Sequence, residues 1–211
     1  MQKAYFNKRY GLQQAVKEGT KTNTRRLLKV PAEEVNAVNC ALADIENLEA
    51  NKKAILDRYA QYQVGEVVAV AESYKDVFEE ADKGNYWDDR YELFRQATVD
   101  DKPGWDNKLF VRAELMPDRI VIKGRRLEML QDISDEDCIK EGVTRGRFKD
   151  FPNDMYFPYR GCKNSEVCYT PRYAFHLLID RICGRGTWDL NRWVIAYDFL
   201  LERLSANNPQ T

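Results

Sequence analysis

The feature that most constrains this chain is the unequal spacing of its β-type runs. Val67, Val68, Val70 and Ala71 make one compact apolar run within Glu66–Glu72, opened by Gly65. Leu109–Leu115 and Arg119–Leu127 follow, the second with Ile120 and Ile122 on one face, and Trp193–Leu201 closes the set. Helical patterns and long irregular stretches of very different length lie between them. The strand–helix–strand rhythm of a parallel sheet is missing, so the pattern predicts an α+β fold with a curved or barrel-like sheet.

The helical segments carry their own punctuation. Tyr10–Glu18 places Leu12, Ala15 and Val16 on one face and stops at Gly19. Pro31 opens a long amphipathic helix to about Tyr59, with Glu33 and Glu34 at its positive end and Val35, Val38, Leu42, Ile45 and Leu48 at helical spacing. A short helix starts near Ser134, where Ser134–Asp137 resembles a capping box, and ends before Gly142. Pro171 opens another through Ile182, striped by Ala174, Phe175, Leu178 and Ile182. Ser73–Asp106, with ten acids against five bases, reads as an irregular excursion, Val143–Cys168 as a loop region, and residues 205–211 as a polar tail.

Composition narrows the function classes. At 211 residues and 44% hydrophobic, the chain suits one domain with a real core, over 1–204. Its 33 Lys+Arg against 34 Asp+Glu exclude coating of nucleic acid by total charge alone, and leave a local basic site open. No run approaches the roughly 18 apolar residues of a membrane span, and MQKAYFNKRYGLQQ lacks the apolar core of a signal peptide. Five scattered cysteines read as reduced thiols, so a cytoplasmic protein without membrane association is expected. Only Cys162 and Cys168 are close in sequence and His176 is the single histidine, so no metal or cofactor is expected. A Ser-His-Asp hydrolase is disfavoured for the same reason.

Three constellations could carry chemistry. From Gly19 to Ala32, Lys21, Arg25, Arg26 and Lys29 occur with three threonines and no acid, a set of donors suited to phosphate or a polar base edge, or simply a solvated turn. Lys140-Glu141-Gly142 ends a short helix, and Glu141 matters only if the fold brings it to Lys21. Residues 140–163 hold six bases and three acids among Phe148, Phe151, Tyr156, Phe157 and Tyr159, which could stack on single-stranded nucleic acid or anchor a loop beside Pro152 and Pro158. Trp188 and Trp193, flanking Asn191, read as packing residues.

In order along the chain these segments resemble the ASCH domain family. Gly19-Thr20-Lys21-Thr22-Asn23-Thr24-Arg25-Arg26 is similar to the family signature G-x-K-x-x-[E/T]-x-R. Gly65-Glu66 leads a strand ending at Glu72, Met116-Pro117-Asp118-Arg119-Ile120 leads the next, Glu128–Ile133 runs on to Glu141-Gly142, and Gly186, Trp188, Asn191, Trp193, Val194 and Phe199 complete the pattern. The likeness is to ASCH proteins of bacterial genomes and phages, and residues 31–60 and 73–104 look like insertions. The resemblance implies a PUA-like curved β-barrel with flanking helices and two insertions. It implies RNA, or a nucleotide or nucleoside ligand, as partner, held by Gly19, Thr22, Arg25, Arg26 and Glu72, with Tyr74 or Trp105 stacking on a base. Some small members are amidohydrolases of N4-acetylcytidine, in which case Lys21 is the proton acceptor, Thr24 the nucleophile and Glu141 the proton donor. A non-catalytic partner-binding role in a phage or mobile element, through the 31–60 helix, is the third possibility.

Overall fold

The structure, a computed structural model, describes residues 1–84, 94–95, 98, 102–147 and 154–203. In chain order the elements are β1 (Gln2–Ala4), α1 (Leu12–Lys17), β2 (Asn23–Leu27), α2 (Val35–Ala43), α3 (Leu48–Tyr59), β3 (Val67–Val70), α4 (Tyr74–Gly84), α5 (Lys102–Asp106), β4 (Asp118–Met129), α6 (Asp135–Lys140), β5 (Thr144–Gly146), β6 (Met155–Phe157), α7 (Pro171–Cys183) and β7 (Trp193–Arg203). The described residues are therefore α+β. One sheet runs in the order β1-β3-β4-β7-β2, and β5 pairs antiparallel with β6 in a second. No closed barrel is found among the described residues.

The chain divides into two compact units, and strands β4 and β7 each contribute to both. The first comprises Met1–Phe6, Glu66–Val121 and Leu200–Thr211. In it β1 lies parallel to β3, and β3 antiparallel to β4 with Val68 opposite Ile120. Its core gathers Ala69, Ala71, Tyr74, Phe94, Val111, Ala113 and Met116. The second comprises Asn7–Gly65 and Ile122–Phe199. In it β2 pairs antiparallel with β7, Asn23 opposite Asp198 and Leu27 opposite Val194. Leu12, Val16, Leu130, Ile133, Cys138, Phe175, Leu178 and Tyr197 are buried there.

Local signals explain where the short elements begin. The Ser134 hydroxyl accepts from the Asp137 N–H at 3.1 Å, so the helix-start signal read from Ser134 becomes the N-cap of α6. Thr170 caps α7 in the same way, with Pro171 in the first turn, where its missing N–H costs nothing.

Five expectations change. The single helix to Tyr59 is a short 3-10 turn (Ala32–Glu34) followed by two helices. The break falls at Asp44, whose carboxylate accepts from the Asn47 backbone N–H at 3.3 Å and side-chain amide at 2.9 Å and so diverts the chain into a turn. Leu109–Leu115 is not a strand: Lys3 Nζ donates to the carbonyls of Leu109 (2.9 Å) and Val111 (2.8 Å), and the Tyr74 hydroxyl accepts from the Arg112 N–H, so side chains replace a ladder. The basic stretch read as a turn contains strand β2, and the Val143–Cys168 loop contains β5 and β6. The acidic stretch read as an irregular excursion contains helices α4 and α5, its described residues at both ends being helical. Phe148, Phe151 and Pro152, the middle of the acidic stretch, and the polar tail lie outside the described residues.

Candidate active site

Two glycine turns set the geometry around Lys21. Gly19 adopts φ +72°, a backbone region that favours glycine, and lets the chain leave α1 with the N–H groups of Thr20 and Lys21 both returning to the Ala15 carbonyl at 2.9 Å. The Thr22 N–H then donates to the Lys140 carbonyl at 3.0 Å, which ties the segment to the end of α6. Gly142, at φ +114°, follows Glu141, and a Cβ there would lie 2.6 Å from Leu12 Cδ2. Only glycine therefore lets α6 end so close to α1. These turns bring together Lys21 and Glu141, which are 120 positions apart.

The Lys21 side chain is 2% exposed and donates to three acceptors. These are the Asn23 carbonyl at 2.7 Å, the Glu141 carbonyl at 2.7 Å and Glu141 Oε2 at 2.6 Å. An ammonium has three N–H donors, so all are engaged. Burial pushes the Lys21 pKa below its ordinary 10.5. The charge and hydrogen bond of Glu141 pull it up, and Arg26 and Arg25 add to the fall.

Alternation along β2 puts Asn23 and Arg25 on one face and Thr24 and Arg26 on the other. The Arg25 side chain is as buried as that of Lys21 and sits amid carboxylates. It donates to Glu128 Oε1 at 2.7 Å, Asp137 Oδ2 at 3.0 Å, Glu141 Oε1 at 3.2 Å and Asn23 Oδ1 at 3.1 Å. Arg126 closes the ring. It donates to Glu128 Oε2 at 2.9 Å and Asp198 Oδ2 at 2.6 Å and also pairs with Asp137, while Asp198 Oδ1 accepts from Asn23 Nδ2 at 2.6 Å. Burial acts to raise the Asp137 pKa, but the Arg25 hydrogen bond and the Arg126 charge outweigh it and hold the carboxyl below its usual range. With Lys140 3.5 Å from Asp137, the cationic Lys21, Arg25, Arg126 and Lys140 meet the anionic Glu128, Asp137, Glu141 and Asp198. The cluster is neutral as a whole, which is what allows charges this deep.

Of the residues expected at the site, Lys21, Arg25 and Glu141 meet. Thr24 is buried on the opposite face of β2, across from Tyr197, and its hydroxyl makes no hydrogen bond among the described residues. Thr22 and Arg26 are half-buried and Gly19 is exposed. The expectation that Arg25 offers its guanidinium to a ligand is corrected: its donors are turned inward onto the Glu128, Asp137 and Glu141 carboxylates.

Glu72, Tyr74 and Trp105 belong to the other unit. Glu72 is buried, its N–H against Met116 Sδ at 3.4 Å. Tyr74 is fully buried, edge-on to Phe94 at 5.5 Å, and a Cβ on Gly104 would fall 2.4 Å from its ring. That packing corrects the expectation of a stacking surface at Tyr74. Trp105 is 39% exposed and packs on Phe78 at 5.2 Å.

The described residues of the aromatic and basic segment also have partners within the chain. Arg145 and Arg147 pair with Asp154, Arg160 pairs with Glu18 at 2.6 Å, and Tyr159 lies between the Tyr10 ring and the Arg181 guanidinium. Trp188 stacks on His176 at 5.6 Å, as a packing residue would. A cleft of about 220 Å³ next to this segment is lined by Tyr10, Thr20, Ile139, Gly142, Arg145 and Arg160. Thr20 and Gly142 are the chain neighbours of Lys21 and Glu141, although neither of those two lines the cleft.

Glu128, Asp137, Arg126 and Asp198 were not singled out as site residues from the sequence. The available signals were the i,i+4 spacing of Asp137 and Glu141 on α6 and the i,i+2 spacing of Arg126 and Glu128 on β4. Among the described residues no group of His, Cys, Asp and Glu side chains is arranged to hold a metal ion, and no helix is long and apolar enough to cross a membrane. No protein-family model, curated protein or solved structure matches this chain.

Proposed function

We propose that the chain is an ASCH-type, PUA-like domain that takes a nucleoside-type ligand in the cleft beside the Lys21–Glu141 cluster and hydrolyses an N4-acylated cytidine or a similar amide. The observation that carries this reading is the burial of an amine whose N–H groups are held by two carbonyls and one carboxylate. Buried lysines with lowered pKa are the ones that can work as bases near neutral pH. A phosphate clamp needs cations free to meet solvent. In this segment Lys21 and Arg25 are engaged internally, Arg26 is half-buried with interactions of its own, and Lys29 is exposed. The balance therefore favours a small, uncharged ligand over an RNA backbone.

In this reading Lys21 first gives up the proton it holds among Glu141 and two carbonyls. Thr24 Oγ, on the face of β2 opposite Arg25, attacks the amide carbonyl and passes its proton to Lys21 through a bridging water. The C–N bond then breaks as that proton, relayed from Lys21 through Glu141, reaches the leaving amine, and water attacks the threonine ester, releasing the acid and restoring the Thr24 hydroxyl. A panel of N4-acetylcytidine and related acyl nucleosides, followed by chromatography of the released base, tests it. Turnover is expected, with a loss of about 100-fold or more in Lys21→Met and Thr24→Ala. No turnover of any panel member, or unchanged turnover in Lys21→Met, overturns it.

A further inference from the structure

We propose that the Glu18–Arg160 pair on the rim of the cleft selects the ligand's base, preferring a cytosine edge to a uracil edge. The cleft's role as ligand site rests on the nucleoside reading above, whereas base preference is measurable without any reaction. The cleft holds about 220 Å³. That is below the roughly 300–1,000 Å³ of pockets for drug-sized ligands, which limits the occupant to one ring and its substituents. Ala15, Ile139 and Val143 among its walls carry no polar side-chain atoms and cannot tell one flat ring from another. The hydroxyls of Tyr10 and Thr144 donate or accept as the ligand requires. Only groups of fixed polarity discriminate, and those are Glu18, Arg145 and Arg160. Arg145 turns to Asp154, which is not part of the lining. Glu18 and Arg160 are both in the lining and are paired with each other.

The pair is held in one orientation and is not used up. Arg160 Nη1 donates to Glu18 Oε1 at 2.8 Å and to Oε2 at 2.6 Å, and Gln14 Nε2 steadies Oε1 from within α1 at 3.1 Å. A carboxylate offers about four lone-pair positions, so Oε2 can accept once more. The Nε–H and Nη2–H edge of Arg160 makes no hydrogen bond among the described residues. The rim therefore presents one acceptor and two parallel donors. Cytosine presents the complement, an N4–H donor beside the acceptors N3 and O2. An acyl group on N4 leaves one N–H there, so substrate and released cytidine offer the same edge. Uracil would set its O4 against the carboxylate and its N3–H against a guanidinium N–H. Glu18 is also the C-cap of α1, where a carboxylate meets the negative end of the helix and adds nothing to its stability.

Equilibrium dialysis of radiolabelled cytidine and uridine, both uncharged, tests the selection directly. The native protein should bind cytidine about ten-fold more tightly than uridine, the worth of one hydrogen bond gained and one clash avoided. Glu18→Gln replaces a fixed acceptor by an amide that can turn either face to the ligand, so the preference should shrink to about two-fold or less. Arg160→Met should weaken cytidine about ten-fold. Both side chains reach solvent, so neither variant is expected to disturb folding. A pair that merely ties Arg160 to α1 would lower both affinities equally and leave their ratio intact. That result, equal binding of the two nucleosides by the native protein, or no binding of cytidine, overturns the proposal. If the acyl-nucleoside panel shows no turnover while the cytidine preference is present and Glu18→Gln abolishes it, the hydrolase reading fails and base selection stands. Turnover of acyl nucleosides with no cytidine preference separates the two the other way.

Discussion

Two clusters in the same unit pair carboxylates with two basic side chains each and differ above all in depth. Asp154 holds Arg145 and Arg147, two bases whose side chains are mostly in solvent. Glu141 holds Lys21 and Arg25, whose side chains are almost wholly shielded. In the first, water competes for every group, and the main consequence is a carboxyl held by the Arg145 and Arg147 hydrogen bonds down to about 2. In the second, no group can lose its partner without being stranded, and desolvation presses the lysine toward its neutral form. Burial turns an ordinary surface motif into one that presses its lysine toward the neutral form.

The largest effect comes from breaking the buried pair. Glu141→Leu leaves Lys21 without its carboxylate in the interior and should cost about 3–5 kcal/mol in urea unfolding. Adding Lys21→Met should restore most of that loss, because the stranded charge goes with it. If the double variant is no more stable than the single one, the pair is not the unit described above.

A smaller effect concerns pH. The folded pKa of Lys21 lies below its unfolded value near 10.5, so between the two the unfolded chain binds more protons and stability rises with pH. Unfolding by urea across that window should show the rise in the native protein and lose it in Lys21→Met. A parallel pH dependence in both proteins contradicts the assignment.

Salt sharpens the contrast further. At 1 M salt the Asp154 titration should climb from about 2 toward its ordinary 3.8, since exposed charges are screened. The Lys21 midpoint should stay where it is. Smallest of all, Asp154→Asn should leave the urea midpoint unchanged within error, whereas a clear loss would place that pair among the structural ones.

What the sequence made legible was local. Ser134 and Pro171 announce helix starts through backbone groups within three residues, and Val67–Val70 and Asp118–Met129 carry enough β-branched character to read as strands. Strand β2 was hidden because Asn-Thr-Arg-Arg-Leu has little intrinsic β preference. It is a strand through pairing with β7, roughly 170 positions away, as Asn23 opposite Asp198 illustrates. Leu109–Leu115 misled in the other direction, since its apolar residues suggested a ladder that Lys3 and Tyr74 replace. At the site, a long-range likeness of motifs suggested pairing Lys21 with Glu141, but nothing local marked Arg25 as an interior cation. Its carboxylate partners lie more than 100 positions along the chain.

The central claim is that the cleft beside the Lys21–Glu141 cluster receives a small uncharged ligand and not a phosphate backbone. The most direct measurement follows the Lys21 Cε resonance while N4-acetylcytidine or a single-stranded RNA is added, each at low and at high salt. The account predicts that the nucleoside shifts the resonance equally at both salt concentrations and that RNA leaves it in place. A shift produced by RNA that collapses as salt rises, with none from the nucleoside, would contradict it.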